Sequence, residues 1–179
     1  MDWQVIIGIS SVVIAICAIV VSIRHGVQTR RHNKLSYKPH LTTWMDSDKD
    51  KAFYSVELIN NGLGPALIEK FTIKVDGEVM PGKQTEPIEK AMELLLPGLN
   101  YEKFYKAFLG KGSSMAAKDK HTIVAIQFSQ PYPNHELVEE VFNRADIEIA
   151  YKSFYGEPFL LSTEDEKAVE TTETLSADE

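Results

Sequence analysis

The stretch "NNGLGPAL", residues 60–67, has two closely spaced glycines, as loops that bind phosphate do. Such loops use glycine to bring backbone N–H groups against the anion, and they precede a helix whose N-terminal amides and dipole face it. Here the glycines precede an alternating apolar segment typical of a strand. Neither a third glycine at position 67 nor a Lys-Ser/Thr pair follows. The sequence therefore predicts a tight turn and no nucleotide site.

This predicted turn has residue types that suit a chain reversal. Asn61-Gly62 is expected to supply the positive φ angle that the reversal needs. Pro65 would interrupt either a helix start or a strand ladder. The predicted structural turn comprises Asn60, Asn61, Gly62, Gly64 and Pro65.

Two histidines with acidic neighbours are the remaining candidates for catalysis. His121 follows Asp119 at the start of a predicted strand, and His135 lies beside Glu136 at the start of a predicted helix. Either imidazole could act as a general base. The sequence has no G-x-S-x-G or H-E-x-x-H motif, and its single cysteine, Cys17, lies in an apolar segment. We expect a protein that is not an enzyme and binds no cofactor or metal; the alternative is an enzyme that uses His121 or His135 as a base.

That apolar segment, residues 5–23, carries no charge. As a helix it would be roughly 28 Å long at 1.5 Å per residue, close to the ~30 Å hydrocarbon core of a bilayer. Trp3 precedes it, where an aromatic ring anchors at the interface. A signal peptide would need a basic N-terminal region, but Asp2 is the only charged side chain there. We predict a single transmembrane helix over residues 5–23, after a short tail, 1–4.

A basic segment, residues 24–38, follows the predicted span and contains no acid. The positive-inside rule places it and the rest of the chain in the cytoplasm, with the N-terminus outside the inner membrane; the alternative is a periplasmic or surface-facing domain with inverted topology. The helix is expected to continue a turn or two and to end before Pro39. Nucleic acid is not expected as a partner, because a segment held at a bilayer leaves little room for a polynucleotide. Four cations are expected to bind anionic lipid headgroups at ~1 kcal/mol each, namely Arg24, Arg30, Arg31 and Lys34.

Small residues also recur along the predicted span at alternating intervals of three and four. This spacing places them on one seam of a helix. Lipid gives no reason to sort small residues onto one face, whereas close packing of helices does. We therefore predict a helix-packing seam for a homodimer or a partner helix, formed by Gly8, Ser11, Ala15, Ala18 and Ser22.

Beyond Pro39 the pattern indicates a β-rich domain. Alternating apolar residues predict strands at 53–60 and 68–75 and a closing hairpin over 146–162, with turns at Asp76-Gly77 and Tyr155-Gly156. A mostly apolar run with β-branched residues predicts a central strand at 121–128. Helical spacing predicts helices within 85–95, capped by Thr85, and within 133–145, capped by Asn134. The aromatic segment 101–108 fits a helix or a strand.

Five or six strands with two inserted helical segments predict a mainly β fold, an immunoglobulin-like antiparallel β-sandwich with one or two inserted helices; an α+β fold is the alternative. The globular domain is predicted over residues 39–162. The remainder, 163–179, has seven acids and one base, and it is expected to be disordered because it offers little apolar surface to bury.

Two segments carry a resemblance to known proteins. "VELINNGLGPALIEKFTIKVDGE", residues 56–78, resembles a block of small bacterial single-pass membrane proteins of unknown function and, more loosely, bacterial immunoglobulin-like domains. "DIEIAYKSFYGEPF", residues 146–159, is similar to the closing hairpin of the same membrane proteins. The resemblance implies a bacterial inner-membrane protein and no activity. We accordingly expect a membrane-tethered, non-catalytic interaction or scaffold module whose partners are membrane lipids and an unidentified protein.

Overall fold

The computed structural model describes residues 3–165, and the chain divides after Tyr37 into two compact units. Residues 1–2 of the predicted N-terminal tail and residues 166–179 of the predicted acidic tail therefore lie outside the described residues. The first unit is a single helix, α1, Trp3–Ser36. It extends about three and a half turns beyond residue 23 at 3.6 residues per turn, which is further than the sequence predicted. Its end is explained by Pro39, because the residue before a proline avoids helical backbone angles.

Residues 38–162 of the second unit form two antiparallel sheets and two helices, which confirms the predicted mainly β class. One sheet has the strand order β1-β2-β7-β5, and the other has the order β4-β3-β8-β9 with the short β6 paired to β3. The elements are β1 Leu41–Asp48, β2 Phe53–Asn60, β3 Ala66–Val75, β4 Glu78–Val79, α2 Glu86–Leu95, β5 Tyr101–Lys106, β6 Ser114–Met115, β7 Lys120–Phe128, α3 His135–Asn143, β8 Ala145–Lys152 and β9 Pro158–Ser162.

The order of the strands follows a known antiparallel arrangement. In constant-type immunoglobulin sheets, strands A, B, E and D form one sheet and strands C, F and G form the other. Here β1, β2, β7 and β5 occupy the first set of positions, and β3, β8 and β9 occupy the second. The β4 strand extends the second sheet by one edge strand. The sandwich therefore keeps the immunoglobulin order without the cysteine pair of antibody domains.

A single apolar core joins the two sheets. Leu58 and Ile126 from the first sheet and Ile68 and Ile149 from the second are at most 1% exposed and belong to one cluster of buried residues. Leu41 N–H also donates a hydrogen bond of 3.3 Å to the Tyr151 hydroxyl and so links β1 to β8. Apolar burial on this scale supplies most of the favourable free energy of folding.

Both helices predicted from the sequence are present. The buried face of α2 comprises Ile88, Ala91, Met92 and Leu95, as its spacing predicted. Asn134 caps α3 by accepting a bond from Glu136 N–H, whereas the Thr85 hydroxyl bonds to the Glu89 carboxylate 3.1 Å away and caps nothing. The segment whose type the sequence left open is strand β5. The sequence also missed β1, because half of its side chains are exposed and it lacks an apolar alternation.

The two hairpin turns are also where the sequence placed them. Asp76 and Gly77, with φ angles of 52° and 82°, join β3 to β4. Gly156, with a φ angle of 80°, lies in the turn between β8 and β9, where Ser153 accepts bonds from the Tyr155 and Glu157 amides.

Candidate functional site

The surface of α1 is apolar over most of its length. Every side chain from residue 6 to residue 32 is exposed, and the most apolar window of the helix has a mean hydropathy of 2.9 with none of its residues buried. Length and composition allow this helix to cross a membrane, and an N-terminal signal sequence would have the same two properties. An uncovered apolar helix of this size is stable only in an apolar environment.

The predicted lipid-binding cations lie on one side of α1. At about 100° per residue, Arg24, Arg30, Arg31 and Lys34 fall within an arc of roughly 120°. The three arginines are exposed, and Lys34 is half-buried. A helix that carries its cations on one side can present them together to a layer of phosphates.

The predicted packing seam lies on another side of the same helix. Ser11 and Ser22 donate their hydroxyls to Ile7 O and Ala18 O, at 2.9 and 2.8 Å, so each serine is satisfied within α1 and adds little bulk. The spacing of three and four continues past the predicted span through His25, Thr29, His32 and Ser36. By the same helical geometry, these four residues are opposite the cations.

The predicted turn is organised by the side chain of Asn60. This asparagine is fully buried, and its Oδ1 accepts bonds from His40 N–H at 3.1 Å and Gly62 N–H at 3.0 Å. Its Nδ2 donates to the carbonyls of Gly64, Met115 and Ala116, between 2.9 and 3.3 Å away. A single side chain therefore connects the start of the globular unit, the turn and β6.

Gly62 does not have the positive φ angle that the sequence predicted, and that prediction is wrong. The Asn60 side chain replaces a backbone turn bond here, so the reversal needs no left-handed residue. Glycine is required instead by close approach: an added Cβ would lie 2.4 Å from both His40 N and Lys38 O. Leu63 N–H and Gly64 N–H both donate to the same Lys38 carbonyl, which holds the two segments together.

The first candidate base, His121, is an exposed surface residue. Its Nε2 lies 3.2 Å from the Asp119 carboxylate, and both side chains are more than two-fifths exposed. Water competes for both groups at such a site, so the pair is weak.

The second candidate base, His135, faces Glu139 and not the adjacent Glu136. Its Nε2 lies 2.8 Å from the Glu139 carboxylate one turn along α3, and its Nδ1 lies 2.7 Å from the Tyr54 hydroxyl. His135 Nδ1 can accept the Tyr54 proton, whereas Nε2, despite its approach to the carboxylate, forms no hydrogen bond with a described residue. Glu139 faces the imidazole because residues four apart, not adjacent ones, face each other on a helix.

The Tyr54 hydroxyl is poorly placed to react. Burial, together with the nearby Glu139 carboxylate, raises the pKa of this phenol, so it remains protonated. Its ring is 2% exposed, stacks on His135 and lies 6.2 Å from the Phe142 ring centroid. The contacts of the Tyr54 side chain therefore hold α3 against β2.

A groove that the sequence did not predict lies between β5 and α2. It encloses about 290 Å³. Its apolar side chains Met92, Leu96, Leu99 and Phe104 are buried or half-buried, and we call them its floor; we call its polar side chains, Glu89, Glu93, Tyr101 and Lys106, its rim. We call this feature the β5–α2 groove. The regularly spaced aromatic residues of segment 101–108 were the one sign of this groove in the sequence. The sequence did not show which element packs opposite them.

Comparison with known proteins identifies a family but no activity. The profile of a family described as "Domain of unknown function (DUF8453)" matches residues 5–167, which include both α1 and the globular unit. No match was found among curated proteins.

Proposed function

We propose that this chain, which belongs to the family described as "Domain of unknown function (DUF8453)", is a membrane-tethered, non-catalytic interaction or scaffold module. Its globular unit faces the cytoplasm at the inner membrane of a bacterium. The observation that carries the proposal is α1, whose apolar surface is wholly exposed while the second unit has a complete core of its own. A helix of this kind has no role in the core of the sandwich and suits a bilayer.

The family match includes the apolar segment. The matched region begins at Val5 and extends through the sandwich, so the family profile describes the apolar segment together with the domain. The helix also continues to Ser36, well beyond the apolar segment, as expected of a span with a cytoplasmic extension.

Charge at the two ends of the span supports the orientation. Asp2 is the only charged residue before the apolar segment, whereas Arg24, Arg30, Arg31 and Lys34 follow it. Such cations remain in the cytoplasm because the membrane potential and anionic lipids both favour that side.

Neutralising these cations tests the orientation. Replacing Arg24, Arg30, Arg31 and Lys34 with glutamine is expected to give a mixed orientation, because Lys38 is then the only Arg or Lys left in the basic segment and the charge difference across the span is much smaller. Protease added to spheroplasts should begin to digest the globular unit, which is protected in the parent protein. A control variant with Lys70, Lys83, Lys103 and Lys111 replaced by glutamine should keep the parent orientation, because these exposed lysines are far along the chain from the span. Identical protection of all three proteins would contradict the orientation argument.

We also propose that α1 pairs with a second copy along its seam. A parallel pair would bring the small residues together and leave the four cations of each helix pointing away from the partner. Repulsion between the basic segments is thereby reduced.

The pairing predicts different effects for neighbouring substitutions in the span. Ala15→Leu and Ala18→Leu should abolish association in a membrane two-hybrid assay, because leucine prevents close approach of the backbones. Ile14→Leu and Ile16→Leu lie off the seam and should leave the signal unchanged. Equal signals from all four variants would exclude the seam as the contact surface.

A further inference from the structure

We propose that the β5–α2 groove binds an extended peptide, apolar and basic in character, which adds as a further strand to the free edge of β5. This inference rests on the proposed function, because it names the class of partner that an interaction module would hold. Strand addition to an open sheet edge is a recurring way of recognising peptides.

The strand register shows which backbone N–H and C=O groups of β5 do not bond to β7. Ala107 N–H donates to Ile123 O, so the odd-numbered residues at this end of β5 bond to β7. In an antiparallel ladder the intervening residues point the other way. The N–H and C=O groups of Phe104 and Lys106 therefore face the edge of the sheet, where no strand of residues 3–165 lies beside β5. An occupant that satisfies such a row of donors and acceptors must itself have an extended backbone.

The groove beside this edge determines which side chains fit. The Phe104 side chain is half-buried and points to the same side of β5 as Lys106, whose ammonium contacts the Glu89 carboxylate on α2. A peptide strand alongside β5 would place every second side chain against the floor formed by Met92 and Leu96. Aliphatic side chains at those positions would bury apolar surface that the groove leaves accessible.

The charge of the residues that line the groove favours a basic peptide over an acidic one. Glu89 is already paired with Lys106, whereas Glu93 is an exposed acid on the rim and forms no ion pair with another described residue. The groove therefore has an excess of negative charge, which a lysine or arginine of the peptide would offset. The acidic residues 166–179 of the chain itself are disfavoured as the occupant for the same reason.

Binding of a defined probe tests the proposal. The probe is a fluorescent peptide of repeated Val-Ser-Lys-Ser, titrated by anisotropy against the full-length protein in nanodiscs of zwitterionic lipid. Its valines and lysines lie on one face of a strand, so both can reach the groove. A peptide in which glutamate replaces each lysine is the charge control. We expect saturable binding of the basic peptide and at least tenfold weaker binding of the acidic one. Glu93→Lys should weaken binding of the basic peptide about two- to fivefold, within the range for exposed charge pairs.

Backbone methylation distinguishes strand addition from attraction between charges. Two further peptides have the same sequence, with N-methyl groups on the valine and lysine amides in one and on the serine amides in the other. Because alternate amides of a strand face opposite sides, one isomer should lose binding at least tenfold and the other should keep it. Equal binding of both isomers, or no binding of the parent peptide, would overturn the groove proposal. The membrane-tethered module would still stand in that case, because its own tests concern orientation and pairing of α1.

Discussion

Replacing Asn60 with alanine is expected to lower the free energy of unfolding of the globular unit by about 3–5 kcal/mol, because buried groups left without partners cost about 1–3 kcal/mol each. The truncation would leave the His40 and Gly62 amides and the Gly64, Met115 and Ala116 carbonyls without this partner. Water cannot readily replace a side chain that is fully buried. Denaturant titration of the full-length protein in detergent, followed by circular dichroism, measures the change.

The adjacent asparagine provides a matched control. The Asn61 side chain donates one bond of 2.8 Å to the Thr42 hydroxyl at an exposed position. Its replacement by alanine should cost less than about 1 kcal/mol, because water can replace an exposed partner. Similar losses for Asn60→Ala and Asn61→Ala would show that the Asn60 network does not determine the stability of the turn.

Substituting Gly62 with alanine or valine is expected to destabilise the same unit by about 2–4 kcal/mol, because overpacking against backbone atoms forces a displacement of the chain. Any Cβ at this position would lie 2.4 Å from His40 N and Lys38 O. Residues 38–40 would have to move, and the bonds from Leu63 and Gly64 to the Lys38 carbonyl would weaken. The change in denaturation midpoint measures this cost.

Replacing each of two glycines with asparagine distinguishes two reasons for needing glycine, a close approach of other atoms and a left-handed backbone conformation. Gly77 has a φ angle of 82° and open space around its Cα, so Gly77→Asn should cost less than about 1 kcal/mol, since asparagine tolerates this region. Gly62→Asn should be as damaging as Gly62→Ala, because it also has a Cβ. If Gly62→Asn restored the stability that Gly62→Ala removes, close approach would not be the reason for glycine at this position.

The sequence predicted the elements of the fold better than their contacts. Alternation and helical spacing located β2, β3, β7, α2 and α3, because each buries one face against the core. The β1 strand was missed because an edge strand in contact with water needs no apolar face. Segment 101–108 fitted two periods, and only pairing with β7 decides between them.

The candidate sites were predictable to different degrees. The sides of α1 on which its charges and its small residues lie could be predicted from their spacing alone, since a helix fixes the direction in which each residue projects. The reason for glycine at position 62 could not be predicted. The space for a Cβ there is taken by residues 38–40, which approach Gly62 only in the folded chain. The β5–α2 groove was missed for the same reason, as its two sides are formed by separate elements.

The central claim is that α1 holds the globular unit on the cytoplasmic side of the inner membrane. Two reporters fused after Glu179 test it most directly, one that fluoresces only when folded in the cytoplasm and alkaline phosphatase, which is active only outside it. We predict a fluorescent first fusion and an inactive phosphatase fusion, with both proteins in the membrane fraction. An active phosphatase fusion, together with no fluorescence from the other fusion, would contradict the account and place the domain in the periplasm.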